Sequence, residues 1–271
     1  METKFIGLDR IVDELTNLSS LTTVPHILFE GSRGSGKTTL ANYVGKLTHK
    51  KMITLNAPAV NFQKLQSVIL TLGKNSILFI DEIHRLHPKV EELLYHPMEN
   101  GEMYMSGFRM KIPPFTLIGA TTRPDLITKP LQSRFQLRIS VPRYSVRELA
   151  KIVKSTYTEL SRRDSLLIAR CASVPREVLN LGYRLHQLKK TVPEGLAFLN
   201  YIDGLSKTER DYLQYIRMEP KSVSSLSAYL MIPEQSIGDL EQRLIHLNLI
   251  TITSKGRTLT PQGLMKVTNL N

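Results

Sequence analysis

A nine-residue stretch, Gly31-Ser32-Arg33-Gly34-Ser35-Gly36-Lys37-Thr38-Thr39, fits the pattern G-x-x-x-x-G-K-[ST]. Glycines so spaced let a backbone curl until its N–H groups face phosphate oxygens. A helix starting at the same place adds the positive end of its dipole. On this chemistry Lys37 reaches the β- and γ-phosphates of ATP, the Thr38 hydroxyl ligates Mg²⁺, and Gly31, Gly34, Ser35, Gly36 and Thr39 line the phosphates. A carboxylate pair, Asp81-Glu82, follows the apolar run Ile77-Leu78-Phe79-Ile80. Asp81 can hold Mg²⁺ through water, and Glu82 can polarise the attacking water as general base. A hydroxyl from Thr121-Thr122 could orient that water. His84, just beyond the carboxylates, suits packing or support of the site better than metal ligation.

These groups need strands to hold them. Ile27-Leu28-Phe29 reads as a buried strand before the glycine loop, and Thr39 to Val44 has helical periodicity after it. Ser76 to Ile80 reads as a central parallel strand, buried on both faces, with its carboxylates where open α/β sheets bind ligands. Met52 to Leu55, Phe115 to Ala120 and Gln136 to Ile139 add strands. One helix runs through Leu65, Val68 and Leu72 to a turn at Lys74-Asn75, and another spans 88 to 99. The lead segment turns at Phe5-Ile6-Gly7 into a helix with Ile11, Leu15 and Leu18 on one face. It either packs over an adenine or is a plain first helix. Glu102 to Ile112 alternates around Ser106-Gly107 and predicts a β-hairpin. Its Met103, Met105, Phe108 and Met110 suit either an adaptable partner surface or simple packing.

From Tyr144 to about Asn200 the pattern is helical, with Thr191 to Gly195 marking a turn. The remaining residues predict helices over Lys207–Met218, Val223–Leu230 and Glu234–Leu249, then a strand, a turn and a strand from Leu249 to Thr260. That is the pattern of a winged helix. Lys255 and Arg257 fall at the expected wing tip, suited to phosphate contact.

With 271 residues the chain has room for about two or three domains. Its net charge of +12 and pI near 9.7 favour a polyanionic partner, though such charge also serves solubility. Absence of tryptophan favours backbone contact over base stacking. Apolar runs are too short to span a bilayer, residues 1–4 open no signal peptide, and the single cysteine, Cys171, excludes an internal disulfide. A cytoplasmic protein without membrane contact is expected.

These motifs resemble the RuvB family, the AAA+ motors of Holliday-junction branch migration. Leu78 to Leu86 looks like that family's Walker B segment, Pro113 to Arg123 like its sensor 1 strand, and Gly36 to Asn42 like its Walker A. The likeness runs from about Phe5 to Thr260. It implies an α/β AAA+ P-loop core over 1–142, a helical lid over 143–201 and a C-terminal winged-helix domain over 202–271. It implies Thr122 as sensor 1 and Arg134 as an arginine finger acting on the next subunit's ATP. It further implies Tyr144, Ile6 and Gly7 at the adenine, and Pro175-Arg176 as sensor 2 with Arg176 on the γ-phosphate. The hairpin 102–112 would dock a RuvA-like protein, and Arg257 would touch DNA. The implied activity is a DNA-dependent ATPase, a homo-oligomeric ring, expected to be a hexamer, that moves double-stranded DNA at four-way junctions in recombination and repair. The chain departs from the family pattern at Arg33, Gln132, Gln136, Ser173-Val174 and Ile252, and its hairpin is shorter.

Three other readings stay open. One is a loader or switch of the clamp-loader type. Another is a winged-helix DNA-binding regulator whose assembly is set by ATP. The third is an inactive relative that modulates a motor.

Overall fold

The computed structural model describes residues 5–18, 21, 23–74, 76–105 and 107–269. Residues 1–4, Thr22 at the end of the lead segment, and Asn75 and Ser106 of two expected turns lie outside the described residues. The chain forms two compact units. The first comprises Met1–Tyr144 with Val174–Arg176, and the second Ser145–Ser173 with Glu177–Asn271.

The first unit is a five-stranded parallel sheet, order β2-β3-β6-β1-β7. The strands are β1 (Ile27–Glu30), β2 (Met52–Asn56), β3 (Ser76–Asp81), β6 (Phe115–Thr121) and β7 (Leu137–Ser140), with the hairpin β4 (Glu102–Met105) and β5 (Phe108–Lys111) standing apart. Ile27, Leu28 and Phe29 of β1 and Ile77 to Ile80 of β3 are wholly buried, as continuous apolar runs in a two-sided sheet must be. Register matters more than burial here. Glu30 pairs with Thr121 and Ile80 with Gly119, so β1, β3 and β6 end together. The segments after them, Gly31, Asp81-Glu82 and Thr122, therefore emerge at one edge.

The α-helices of this unit among the described residues are α1 (Asp9–Asn17), α2 (Lys37–Leu47), α3 (Phe62–Thr71), α4 (Pro88–Glu91), α5 (Tyr95–Asn100) and α6 (Lys129–Gln132). The helix expected over 88–99 is broken into α4, a 3₁₀ turn and α5. Pro97 explains the break, because it lacks an N–H and suits only a helix's first turn.

In the second unit the lid helices are α7 (Val146–Thr156), α8 (Arg162–Arg170), α9 (Pro175–Leu188, whose first two residues count with the first unit) and α10 (Val192–Phe198). The turn expected at Thr191–Gly195 is instead the start of α10. Glu194 accepts from the N–H and hydroxyl of Thr191 at 3.1 and 2.7 Å, and Pro193 occupies a position that needs no donor. Cys171 is buried, which pushes its thiol up to about 11 and leaves it protonated.

The winged helix comprises α11 (Lys207–Tyr215), α12 (Val223–Leu230), α13 (Glu234–His246), β8 (Ile250–Thr253), β9 (Gly256–Leu259) and, beyond the expected wing, a further helix α14 (Pro261–Thr268). Its core gathers Tyr212, Leu213, Leu226, Ile237, Leu244 and Val267. The Thr260 hydroxyl caps α14 by accepting from Gly263 N–H at 3.0 Å. A Cβ on Gly263 would lie 1.9 Å from the Leu249 carbonyl oxygen, so only glycine fits there. Arg243 ties this domain to the lid: it pairs with Glu209 and donates to the Arg170 and Gly204 carbonyls at 2.7 and 2.8 Å.

Candidate functional site

The glycine loop begins where β1 ends. Gly31 N–H donates to the Thr121 carbonyl at 3.2 Å, which anchors the loop to β6. Gly34 and Gly36 have φ of 81° and 106°, a region that side chains disfavour. Gly34 has a second reason to be glycine: an added Cβ would stand 2.9 Å from the Cβ of Arg176. Arg176 N–H also donates to the Gly34 carbonyl at 3.4 Å, so Pro175-Arg176, at the start of α9, lies against the loop. Lys37 and Thr38 open α2. The Tyr144 hydroxyl donates to the Ser35 carbonyl at 2.9 Å, holding the loop from its other end.

Lys37 is 6% exposed, and its ammonium donates to the Gly31 and Ser32 carbonyls at 2.8 and 2.9 Å. Burial lowers its pKa, the charges of Glu82 and Asp81 oppose that shift, and Arg176 adds to it. Two cations and two carboxylates thus act on one locus.

At the end of β3 the Thr38 hydroxyl donates to Asp81 Oδ2 at 3.3 Å. Glu82 follows in a left-handed conformation, φ 51° and ψ 44°, with its N–H donating to Asp81 Oδ1 at 3.0 Å. Such a conformation costs on the order of 1–3 kcal/mol outside glycine. Burying one large apolar side chain gives about as much, and β3 buries four just before it. The Glu82 carboxylate accepts from the Thr122 hydroxyl at 3.1 Å and lies 3.4 Å from His84 Nδ1. His84 in turn meets the Thr121 hydroxyl at 2.9 Å. Burial holds His84 below its ordinary pKa, so at neutral pH it supports Glu82 as a neutral ring.

The arrangement fits a nucleotide's phosphates. Ser35 Oγ is buried without a partner among the described residues, in the loop that also holds the buried Lys37 ammonium. The Thr38 hydroxyl and Asp81 carboxylate are hard oxygen donors of the kind magnesium takes alongside substrate phosphates. No protein-only cage of three or more His, Cys, Asp or Glu occurs among the described residues. Ile6 and Gly7 form a half-buried turn at the entry to α1, next to a Phe5–Tyr43 ring contact of 4.8 Å.

Arg134 stands outside this cluster. Its guanidinium donates to Tyr95 O at 3.3 Å, Pro130 O at 2.6 Å and Glu99 Oε2 at 2.8 Å. The sequence signals these partners only through the i, i+4 spacing of Tyr95 and Glu99, which puts them on one helical face.

The two ends of the hairpin's apolar face differ in burial. Met103 pairs with Met110 and Met105 with Phe108. Exposure climbs along this face from 2% at Met103 to 74% at Phe108, so its base packs and its tip faces solvent. In the wing, Lys255 lies in the turn, whereas Arg257 is not at the tip as the sequence suggested. Its guanidinium turns inward to Glu241, Nε to Oε1 at 2.8 Å, and Glu241 also accepts from the buried Tyr212 hydroxyl at 2.8 Å. The reason is a buried carboxylate on α13 that needs a cation. No helix among the described residues is long and apolar enough to cross a membrane.

Comparison with known proteins gives matches along nearly the whole chain. Residues 3–141 match the Holliday junction DNA helicase RuvB P-loop domain, and residues 203–268 the RuvB C-terminal winged helix domain. The chain is 33% identical over 268 residues to the Holliday junction branch migration complex subunit RuvB of Wolbachia sp. subsp. Brugia malayi (strain TRS), covering 88% of this chain and 82% of that one. It is 34% identical over 261 residues to the same-named protein of Campylobacter lari, covering 86% and 78%. Among solved structures, the Thermotoga maritima RuvB Holliday junction branch migration motor superposes with a TM-score of 0.84 at 28% identity, covering 97% of this chain and 95% of that one.

Proposed function

The chain belongs to the RuvB family, and on that premise we propose that it is an ATP hydrolase that drives branch migration of Holliday junctions in recombination and repair. The observation that carries this reading is the pair of bonds Thr38–Asp81 and Thr122–Glu82, which bring a phosphate loop, both carboxylates and a polar strand end to one edge of the sheet.

The roles of Lys37, Thr38, Asp81 and Glu82 follow from phosphate-loop chemistry, and those of Ile6, Gly7, Thr122, Arg134, Tyr144, Pro175 and Arg176 from the likeness to the family. Gly31, Gly34, Ser35, Gly36 and Thr39 line the phosphates, with Lys37 and Arg176 placing positive charge on the terminal ones. Thr38 and Asp81 would hold Mg²⁺, which would neutralise phosphate charge during transfer. Glu82 takes the proton of the attacking water, and Thr122 fixes the carboxylate that does so. Ile6, Gly7, Tyr144 and Pro175 bound the nucleotide's outer part. Arg134 has no hydrogen bond to the glycine loop of its own chain among the described residues, which supports its action on a neighbour's nucleotide. A homo-oligomeric ring follows from that, and the likeness to the family suggests a hexamer. We read 1–142 as the catalytic core, 143–201 as the lid and 202–271 as the DNA-contacting domain. Lys255 contacts a DNA phosphate from the wing turn, and Arg257 shares its guanidinium between Glu241 and the backbone. The exposed tip of the hairpin 102–112 suits a RuvA-like partner, and the site of action is the cytoplasm.

The test is steady-state ATP hydrolysis with and without four-way junction DNA, with Glu82→Gln and Arg134→Ala beside the parent. Stimulation by the junction that either change abolishes is the expected result. Tight ATP binding with negligible turnover in the parent, DNA present or not, would overturn the motor reading.

A further inference from the structure

Arg134 lies over an aromatic ring that is itself clamped. Its Cζ stands 4.6 Å from the centroid of Tyr95, within cation–π range, and its Nε donates to the carbonyl of the same residue at 3.3 Å. The Tyr95 hydroxyl donates to Glu91 Oε1 at 2.9 Å and meets Thr128 Oγ1 at 3.0 Å. Thr128 also donates to Glu91, whose carboxylate is buried. Thr128 is the N-cap of α6, the short helix that leads into Arg134. Ring, carbonyl and hydroxyl of Tyr95 thus all bear on one arginine and on the turn that carries it. Burial raises the pKa of this hydroxyl, so it remains a donor at neutral pH.

The other holds on Arg134 are weaker. The Glu99 side chain is 57% exposed, and an ion pair so placed is screened by water and salt. The Pro130 carbonyl lies on the arginine's own turn and moves with it. Glu99 lies on the same helix, α5, as Tyr95; of the two, Tyr95 is the one whose side chain is itself anchored, by Glu91 and Thr128.

We propose that Tyr95 is the positioning residue of the arginine finger, setting the direction in which Arg134 reaches the neighbouring subunit's nucleotide. This rests on the reading of Arg134 as a finger acting in trans. Positive charge helps a phosphoryl transfer only when it stands where charge develops, and a misplacement of about 1 Å can cost on the order of a hundredfold. A free arginine side chain, with its many rotamers, would have to find that place on each turnover. Held over Tyr95 it starts near it.

The experiment mixes two variants that are inactive alone. Lys37→Ala subunits cannot use nucleotide but carry the finger. Arg134→Ala subunits keep the nucleotide site but lack the finger. In mixed rings each active site pairs an Arg134→Ala chain with a Lys37→Ala donor, and ATP turnover returns. Tyr95→Leu is then added to the donor chain alone. The expected result is a kcat roughly ten- to a hundredfold below that with the Tyr95 donor, with the KM for ATP unchanged, because the altered residue and the working site are on different chains. Tyr95→Met, which fills the space without an aromatic face, serves as the second donor and should give the same loss. Full restoration by either folded, non-aromatic donor would overturn the proposal. If the Lys37→Ala donor with Tyr95 intact restores nothing, the trans-acting finger itself is wrong, and the proposal falls with it.

Discussion

The Thr122 hydroxyl donates to Glu82 Oε2 at 3.1 Å, joining the end of β6 to the end of β3. Glu82 sits in a strained, left-handed conformation, so its carboxylate needs an external fix to hold one direction. Glu82→Gln keeps the shape but cannot accept a proton. It should lower the single-turnover hydrolysis rate roughly 10²- to 10⁴-fold while ATP still binds. Thr122→Val removes one charge-assisted hydrogen bond, worth about 1.5–3 kcal/mol, and should cost about ten- to a hundredfold in the same assay. A parental rate in Thr122→Val would show that Glu82 is held by other groups.

Tyr144 is buried, and its hydroxyl donates to the Ser35 carbonyl at 2.9 Å. This bond holds the loop's pose, whatever the ring does at the nucleotide's outer part. Tyr144→Phe keeps the ring and loses this bond, worth about 0.5–1.5 kcal/mol. The affinity for a fluorescent ATP analogue should fall about three- to tenfold in titration, with kcat at saturation close to the parent's. Unchanged affinity would mean the loop keeps its pose without this bond.

Legibility in the sequence followed distance along the chain. The phosphate loop, Asp81-Glu82 and Thr122 could be read because each group is contiguous and lies at a strand end. The strands themselves were legible because two-sided burial demands unbroken apolar runs such as Ile77 to Ile80. What could not be read were pairings through space. Nothing local to Arg134 says that Tyr95 lies under it, 39 positions earlier. Arg257 looked like a wing-tip cation because its partner, Glu241, lies on a preceding helix. At Thr191 to Gly195, proline and glycine suggested a turn, but the Thr191–Glu194 box outweighs them and starts a helix. The closeness of Gly263 to the Leu249 carbonyl exists only once α14 folds back on β8.

His26 predicts a pH dependence of stability. It is buried, Nδ1 accepts from Leu117 N–H at 2.8 Å, and Nε2 lies 3.2 Å from the Met98 carbonyl. Those two partners require the neutral ring with the proton on Nε2. Burial lowers its pKa below the ordinary 6.5, with the Met98 carbonyl opposing. The unfolded chain therefore binds a proton more readily than the folded one as pH falls through about 6.5. Stability from this residue is present above that value and drains away toward the lower folded pKa. His84 shifts in the same direction and adds to the loss. Urea midpoints at pH 7.5 and 5.5 should differ more in the parent than in His26→Gln, since glutamine can serve both partners without titrating. Equal pH sensitivity in the two proteins would exclude His26 as a source.

Lys255 and Arg257 should separate under mutation, although both are proposed DNA contacts. Lys255 stands in the exposed wing turn, so Lys255→Ala should weaken binding to all duplex sequences alike and lower the salt slope by about one, with thermal melting unchanged. Arg257 neutralises Glu241, which is 4% exposed. Breaking a buried pair by removing one partner costs about 3–5 kcal/mol, so Arg257→Ala should lower the melting temperature as well as DNA affinity. The double variant Arg257→Met with Glu241→Gln removes both charges and leaves Tyr212 an acceptor. It should recover most of the stability. Its DNA binding should stay weak, with the salt slope still reduced by about one, because the phosphate contact has gone. If binding returned together with stability, Arg257 would serve the wing only by holding its shape, and Lys255 would carry the contact alone.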